Sequence, residues 1–242
     1  MKDLTIVIVI LISSILAYGQ SEKAEGGPLL IGDTAPAFVA TSTNGKVTFP
    51  DDYFARWKII FSHPADFTPV CASEIMELAS MQDEFDKLNT SILVVSTDGL
   101  NSHIEWLSSL ETLTYKDVKI PKIKFPLIAD EGLNISKQYG MLHPNSSSTK
   151  DIRGVFIINP ENKIQAMFFY PLTVGRNLDE IKRTLIALQT HEKHNVLTPA
   201  NWKPGDYVLI PSPGSMREAE KLKSKNDPDL HEVDWYMWLK KL

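Results

Sequence analysis

The chain has 242 residues, 43% of them hydrophobic and 23% charged, a composition that fits a globular protein large enough to bury a sizeable core. A net charge of −5 with no basic block gives no reason to expect nucleic acid as a partner. The single cysteine excludes an intramolecular disulfide, a Cys-x-x-Cys redox pair and a cysteine-based zinc site.

Lys2, an almost wholly apolar run from Ile6 to Ala17, and small residues at Ala17 and Gly19 read as a signal peptide over residues 1–19. The apolar run is short for a membrane span. Export to a periplasm or secretion is therefore expected, with no stable membrane insertion once the leader is removed. Asp3 weakens the basic start, and an uncleaved leader that anchors the protein to a membrane is the alternative.

After a polar lead-in over residues 21–28, Gly32-Asp33-Thr34-Ala35-Pro36 breaks the chain into a turn and Asn44-Gly45 marks a tight hairpin. Trp57-Lys58-Ile59-Ile60-Phe61 predicts a short buried strand. Ile75, Leu78, Phe85 and Leu88 then recur at roughly helical spacing. Ser91–Ser96 predicts a second buried strand. Asn101 or Ser102 is expected to cap a helix to about Leu110, with Ile104, Leu107 and Leu110 on its inner side.

Phe125–Asp130 reads as a strand whose proline marks an edge or a start. A short helix through Ile135 and Tyr139 follows, then a hairpin of Val155–Ile158 with Lys163–Phe169, then a helix from Leu178 to Gln189. Strands alternating with helices, closed by a hairpin and a helix, predict an α/β fold over residues 29–190, a mixed central sheet flanked by helices. Over residues 191–242 the texture changes. A turn-rich Thr198–Asp206 segment, a short strand at Val208 and a charged tail with Trp235, Tyr236 and Trp238 predict a small C-terminal extension.

The chemistry-bearing stretch lies where the first buried strand gives way to its helix. Thr68-Pro69 is a helix-start signal, with a hydroxyl residue at the N-cap and proline at the first helical position. Cys71 is then the third helical residue, where unpaired N–H groups and the positive end of the helix dipole favour a nucleophilic thiolate. Position alone leaves open a small apolar residue packed under the helix. Arg153, at the start of a strand, reads by itself as a solvated rim charge. His191 and His194 share a helix face without a third ligand, so no metal site is expected there.

Pro64-x-x-x-Thr68-x-x-Cys71 resembles the active-site motif of the peroxiredoxins, and the run from Ser62 to Cys71 resembles their one-cysteine, peroxiredoxin-6-like branch. Thr198-Pro199-x-x-Trp202-Lys203-x-Gly205-Asp206 is similar to the extra C-terminal domain of that branch, which in the family helps build a dimer. The resemblance implies a thioredoxin-like fold and a thiol-dependent peroxidase acting on hydrogen peroxide and organic hydroperoxides without a cofactor. It assigns Cys71 as the peroxidatic nucleophile that becomes a sulfenic acid. Thr68 would set its hydroxyl beside the sulfur and the peroxide, and Arg153 would hold the thiolate with a planar guanidinium. Pro64 would shield the site from water.

Glu74 and Arg176 would support this network. His63 would have a structural or proton-handling duty beside the pocket, with a satisfied core histidine as the alternative. Lacking a second cysteine, the oxidised enzyme would need an external thiol reductant, a small thiol or a thioredoxin-like protein. A homodimer or higher homo-oligomer is expected. One stretch departs from the family: Phe54-Ala55-Arg56-Trp57-Lys58 stands where relatives can carry a Gly-Asp-Ser-Trp-Gly lipase motif, which argues against a phospholipase side activity. The rival function from another class is a secreted chaperone or interaction protein that retains the fold.

Overall fold

A computed structural model describes residues 28–225 and 227–242. The expected leader, residues 1–19, lies outside the described residues. β1 (Phe38–Ser42) and β2 (Gly45–Phe49) form the first hairpin, turning at Gly45, whose φ of 96° favours glycine. β3 (Trp57–Ser62) leads into α1 (Pro69–Lys87), and β4 (Thr90–Ser96) into α2 (Leu100–Leu110). A two-stranded ribbon of β5 (Thr114–Tyr115) and β6 (Val118–Lys119) precedes β7 (Leu127–Ala129) and α3 (Asn134–Gln138). β8 (Arg153–Ile158) and β9 (Ile164–Tyr170) form the closing hairpin, after which α4 (Leu178–His194) packs back. The C-terminal part holds β10 (Val208–Leu209), α5 (Met216–Lys223), β11 (Leu230–Asp234) and β12 (Met237–Lys240).

The main sheet has the order β2-β1-β7-β4-β3-β8-β9, with β3 parallel to β4 and antiparallel to β8. Period-two alternation sorts its side chains. Trp57, Ile59 and Phe61 join Cys71, Ile75, Leu78 and Leu185 on one face. Ile60, with Leu93, Val95 and Phe156, meets Phe38, Phe49 and Tyr139 on the other. Both faces are covered, so β3 and β8 are buried along their whole length and read as continuous apolar runs. The exception in β3 is Lys58, whose Nζ donates to Asn162 Oδ1 at 2.6 Å in the β8–β9 turn. Among the described residues no helix is long and apolar enough to cross a membrane.

Two details differ from the sequence expectations, at α2 and α4, and the structure decides between the two alternatives left for Pro126. α2 is capped by Gly99 rather than Asn101 or Ser102, and its inner stripe is His103, Trp106, Leu107 and Leu110, while Ile104 is 45% exposed. Pro126 precedes β7, which lies between β1 and β4, so the proline marks a strand start and not an edge. α4 continues past Gln189 to His194, through the expected boundary at 190/191, and stops at the left-handed Asn195. Beyond it, Val196, Trp202 and Val208 pack on Ala187 of α4 as a small separate cluster. Trp238 on β12 is buried as well, whereas Trp235 and Tyr236 are exposed.

Just before β8 lies a buried carboxyl, Asp151, with no hydrogen-bond partner for either oxygen among the described residues. Burial, aided by the nearby Asp130 carboxylate, outweighs the neighbouring Ser136 hydroxyl, whose proton goes to Asp130, and pushes the Asp151 pKa from 3.8 up to about 7. Well below pH 3.8, folded and unfolded chains both hold this proton. As pH rises toward 7 the unfolded chain releases it and the folded one does not, so stability falls. Asp151→Asn is therefore expected to come closest to the parent at about pH 3 and to exceed it by about 2–4 kcal/mol near pH 8 in denaturant titrations. An equal difference at both pH values would refute this assignment.

Candidate active site

The junction between β3 and α1 builds the site. The chain leaves the sheet at Ser62, turns through residues 63–68 with Phe67 at a left-handed φ of 54°, and enters the helix at Pro69. Thr68 sits at the N-cap position, but its hydroxyl donates to the Ala65 carbonyl at 2.9 Å and makes no capping bond. The expected hydroxyl cap is thus replaced by a bond inside the loop, where the carbonyl three residues back lies within reach. The N–H groups of the first turn are therefore not consumed by a side chain. Pro64 and Thr68 are half-buried on this loop, and Cys71, in the first turn, is fully buried.

The sulfur does not lie in pure hydrocarbon. Arg153, the first residue of β8, directs Nη1 to Cys71 Sγ at 3.3 Å and to Glu74 Oε2 at 2.8 Å. Its Nε and Nη2 both donate to the Leu172 carbonyl, at 3.1 and 2.8 Å, which fixes the plane of the guanidinium. Glu74 lies three residues beyond Cys71, on the same face of α1. Its carboxylate also accepts from Arg176 through the backbone N–H (2.8 Å), Nε (3.0 Å) and Nη2 (2.7 Å).

Arg176 Nη1 donates to the carbonyls of Ser62 and Gly154, at 2.7 and 2.8 Å, and so ties β3 to β8 at their active-site ends. Burial alone would raise the Glu74 carboxyl; Arg176, then Arg153, outweigh it and hold the carboxyl below its ordinary value. Cys71, Glu74, Arg153 and Arg176 are thus brought into one buried cluster.

His63 is placed in a different network. Its Nε2 lies 2.9 Å from Asp66 Oδ1, and His103 Nδ1 of α2 lies 2.8 Å from Asp66 Oδ2, all three side chains being buried. Burial would raise the Asp66 carboxyl, but the hydrogen bonds from His103 and His63 hold it well below the usual carboxylate range. Burial pushes the His63 imidazole below its ordinary value although Asp66 acts in the opposite sense.

The sequence reading passed over Asp66 and His103. The available signal was a polar residue at the first position of the 103/106/107/110 stripe. Among the described residues these three side chains are the group whose donors lie close enough for a metal. They fit one poorly. A bound ion would leave His63 Nδ1 and His103 Nε2 as buried N–H groups without acceptors, since neither atom has a partner. His191, weighed from the sequence, instead bonds the Val196 carbonyl through Nδ1.

Comparison with known proteins gives this geometry its context. The profile of the AhpC/TSA family matches residues 31–167. The chain belongs to the peroxiredoxins. The profile of the C-terminal domain of 1-Cys peroxiredoxin matches residues 187–224. A peroxiredoxin from Methanosarcina mazei is 49% identical over 213 residues, covering 88% of this chain and 97% of that protein.

Among solved structures, the chain resembles a yeast mitochondrial 1-Cys peroxiredoxin described as thiol-resolved via the glutathione and thioredoxin systems. The TM-score is 0.77 and the identity 37%, over 88% of this chain and 100% of that one. A cysteine-to-serine mutant of peroxiredoxin 6 from Arenicola marina matches with a TM-score of 0.77 and 33% identity, over 88% and 99%. The fold is thus the thioredoxin-like fold of the peroxiredoxins, and the protein is a thiol-dependent peroxidase with one cysteine. Peroxiredoxins act with thiol reductants and commonly oligomerise.

Proposed function

We propose that Cys71 is the peroxidatic nucleophile of an exported one-cysteine peroxiredoxin, oxidised by hydrogen peroxide or an organic hydroperoxide and reset by an external thiol. The contact of Arg153 Nη1 with the only thiol sulfur in the chain, at 3.3 Å, carries this reading. Arg153, Arg176 and Glu74 together hold one net positive charge in a buried site, and a thiolate at Cys71 makes the cluster neutral. In the first step the thiolate attacks one peroxide oxygen. An S–O bond forms as the O–O bond breaks, and the departing oxygen takes a proton and leaves as water or an alcohol.

Arg153 is the donor that stabilises the oxygens as the bond breaks, and the Thr68 hydroxyl, whose proton goes to the Ala65 carbonyl, offers its oxygen as an acceptor to the peroxide O–H. Pro64 limits water at the sulfur, and Glu74 with Arg176 fixes the Arg153 guanidinium. His63 supports the loop beside the sulfur. A first external thiol then displaces water from the sulfenic acid to give a mixed disulfide, and a second thiol releases Cys71 and leaves as the oxidised disulfide. A small thiol or a thioredoxin-like protein fits this role. The sequence of residues 1–19 supports export. The C-terminal domain match, with Trp235, Tyr236 and Phe169 on edge strand β9 exposed, supports a homodimer or higher homo-oligomer.

Intact-mass analysis of the protein isolated from its host, after one equivalent of peroxide with dimedone present, tests this reading. The expected product lacks the leader and carries one dimedone adduct, absent in Cys71→Ser. An unmodified sulfur would overturn the role of Cys71, and a retained leader would overturn the cleaved, exported form.

A further inference from the structure

We propose that Asp66 and His103 are positioning residues: by clamping the Pro64–Thr68 loop they set how readily a bulky thiol reaches Cys71. The inference rests on the reading of Cys71 as the reacting sulfur. Asp66 ties the loop to three parts of the molecule at once. Its carboxylate meets His63 at the end of β3 and His103 on α2, at 2.9 and 2.8 Å. Its backbone N–H donates to Asp98 Oδ2 at 2.7 Å, and Asp98 in turn accepts from Lys150 Nζ at 2.5 Å. Trp106, one turn along α2 from His103, adds ring contacts to His63 and Phe67, at 5.2 and 6.3 Å between centroids.

The residue after Asp66 shows what the clamp holds. Phe67 adopts a left-handed φ of 54° and is 61% exposed, so no burial of its own ring accounts for that conformation. A left-handed bulky residue persists where its surroundings over-determine it. Here Asp66 is anchored on one side, and the Thr68 hydroxyl is bound back to Ala65 on the other. The loop runs directly into the first turn of α1, whose sulfur is 0% exposed. Peroxide is small, but a thiol reductant carrying a peptide cannot reach a sulfur with no accessible surface unless the loop and that turn move. Freeing Asp66 lets Phe67 relax to an extended conformation and loosens the turn that buries Cys71.

An ionised Asp66 only accepts hydrogen bonds, so the network assigns a proton to His103 Nδ1. Asparagine at position 103 offers an N–H at nearly the same place, and leucine does not. Because Cys71 is the only cysteine, labelling of the reduced full-length chain by 5,5′-dithiobis(2-nitrobenzoate) reports access to this sulfur independently of peroxide chemistry. The variants are His103→Leu, His103→Asn and Asp66→Asn, each with its thermal unfolding recorded. His103→Leu and Asp66→Asn are expected to label about 10- to 100-fold faster than the parent, the factor for one hydrogen bond to a charged group. His103→Asn should remain near the parent rate.

The loosened variants should also react more slowly with peroxide, while their oxidised forms are reduced faster by a protein thiol. Unchanged labelling in a folded His103→Leu, or His103→Asn labelling as fast as His103→Leu, overturns the clamp. If His103→Leu shows no cooperative unfolding, the near-isosteric Asp66→Asn decides, and labelling at the parent rate overturns the proposal. Parent protein whose sulfur peroxide leaves unmodified would sink the role of Cys71 in peroxide reduction, and the labelling rates would still judge the clamp.

Discussion

Replacing Arg153 with methionine is expected to lower the second-order rate constant for hydrogen peroxide by about 10²–10³-fold, the loss typical of removing one preorganised donor. Arg153 is held in one orientation by Leu172 and Glu74, so Nη1 meets the sulfur without any rearrangement when peroxide arrives. Lysine at the same position should recover little of the loss. An ammonium group cannot serve the Leu172 carbonyl, Glu74 and the sulfur with the spacing of a planar fork. The fold should survive either change, because Glu74 keeps its three bonds from Arg176. Single-turnover measurements of Cys71 oxidation over a range of peroxide concentrations read the rate directly. A rate constant equal to that of the parent in Arg153→Met would remove Arg153 from the chemistry.

Much of this arrangement is legible in the chain because local rules happen to agree. The apolar run from Trp57 and the Thr68-Pro69 helix start together place Cys71 in a first helical turn before any long-range contact is considered. Arg153 is different. It lies 82 residues from Cys71 in the chain, and nothing at the start of an apolar strand says which side chain it will meet; only the resemblance supplied that. His103 was missed because the helical stripe was read by counting apolar residues, which favoured Ile104. A buried histidine paired to Asp66 belongs to the inner face for polar reasons that such a count ignores. The Thr68 hydroxyl illustrates what pattern cannot decide, since the rotamer that gives its proton to the Ala65 carbonyl leaves its oxygen without a capping bond to the first turn. α4 outruns its expected end at Gln189 because its last turn is polar and carries no apolar period to follow.

Glu74 is where the largest cost to stability is expected. Its carboxylate is 3% exposed and accepts four bonds from two guanidinium-bearing residues that are themselves almost completely buried. Glutamine keeps the shape but turns an amide N–H₂ toward those donors, leaving two buried cations without their counter-charge. Breaking a buried pair in this way costs about 3–5 kcal/mol. The pH dependence follows from the direction of the shift. The Glu74 carboxyl is held below its ordinary 4.5, so its stabilisation is present above that value and is lost as pH falls through the lower, folded one.

Glu74→Gln should therefore differ most from the parent near neutral pH, with the gap closing in acid. Denaturant titrations across that range check it, and a neutral-pH difference under about 1 kcal/mol would contradict the prediction. The kinetic consequence is separate. Without Glu74, Arg153 loses one of the two partners that aim it, so peroxide reduction should slow as well. In a double variant with Arg153→Met the second change should add little to the first, because both act through the same guanidinium. Additive losses in rate would mean that Glu74 touches the reaction by a route other than Arg153.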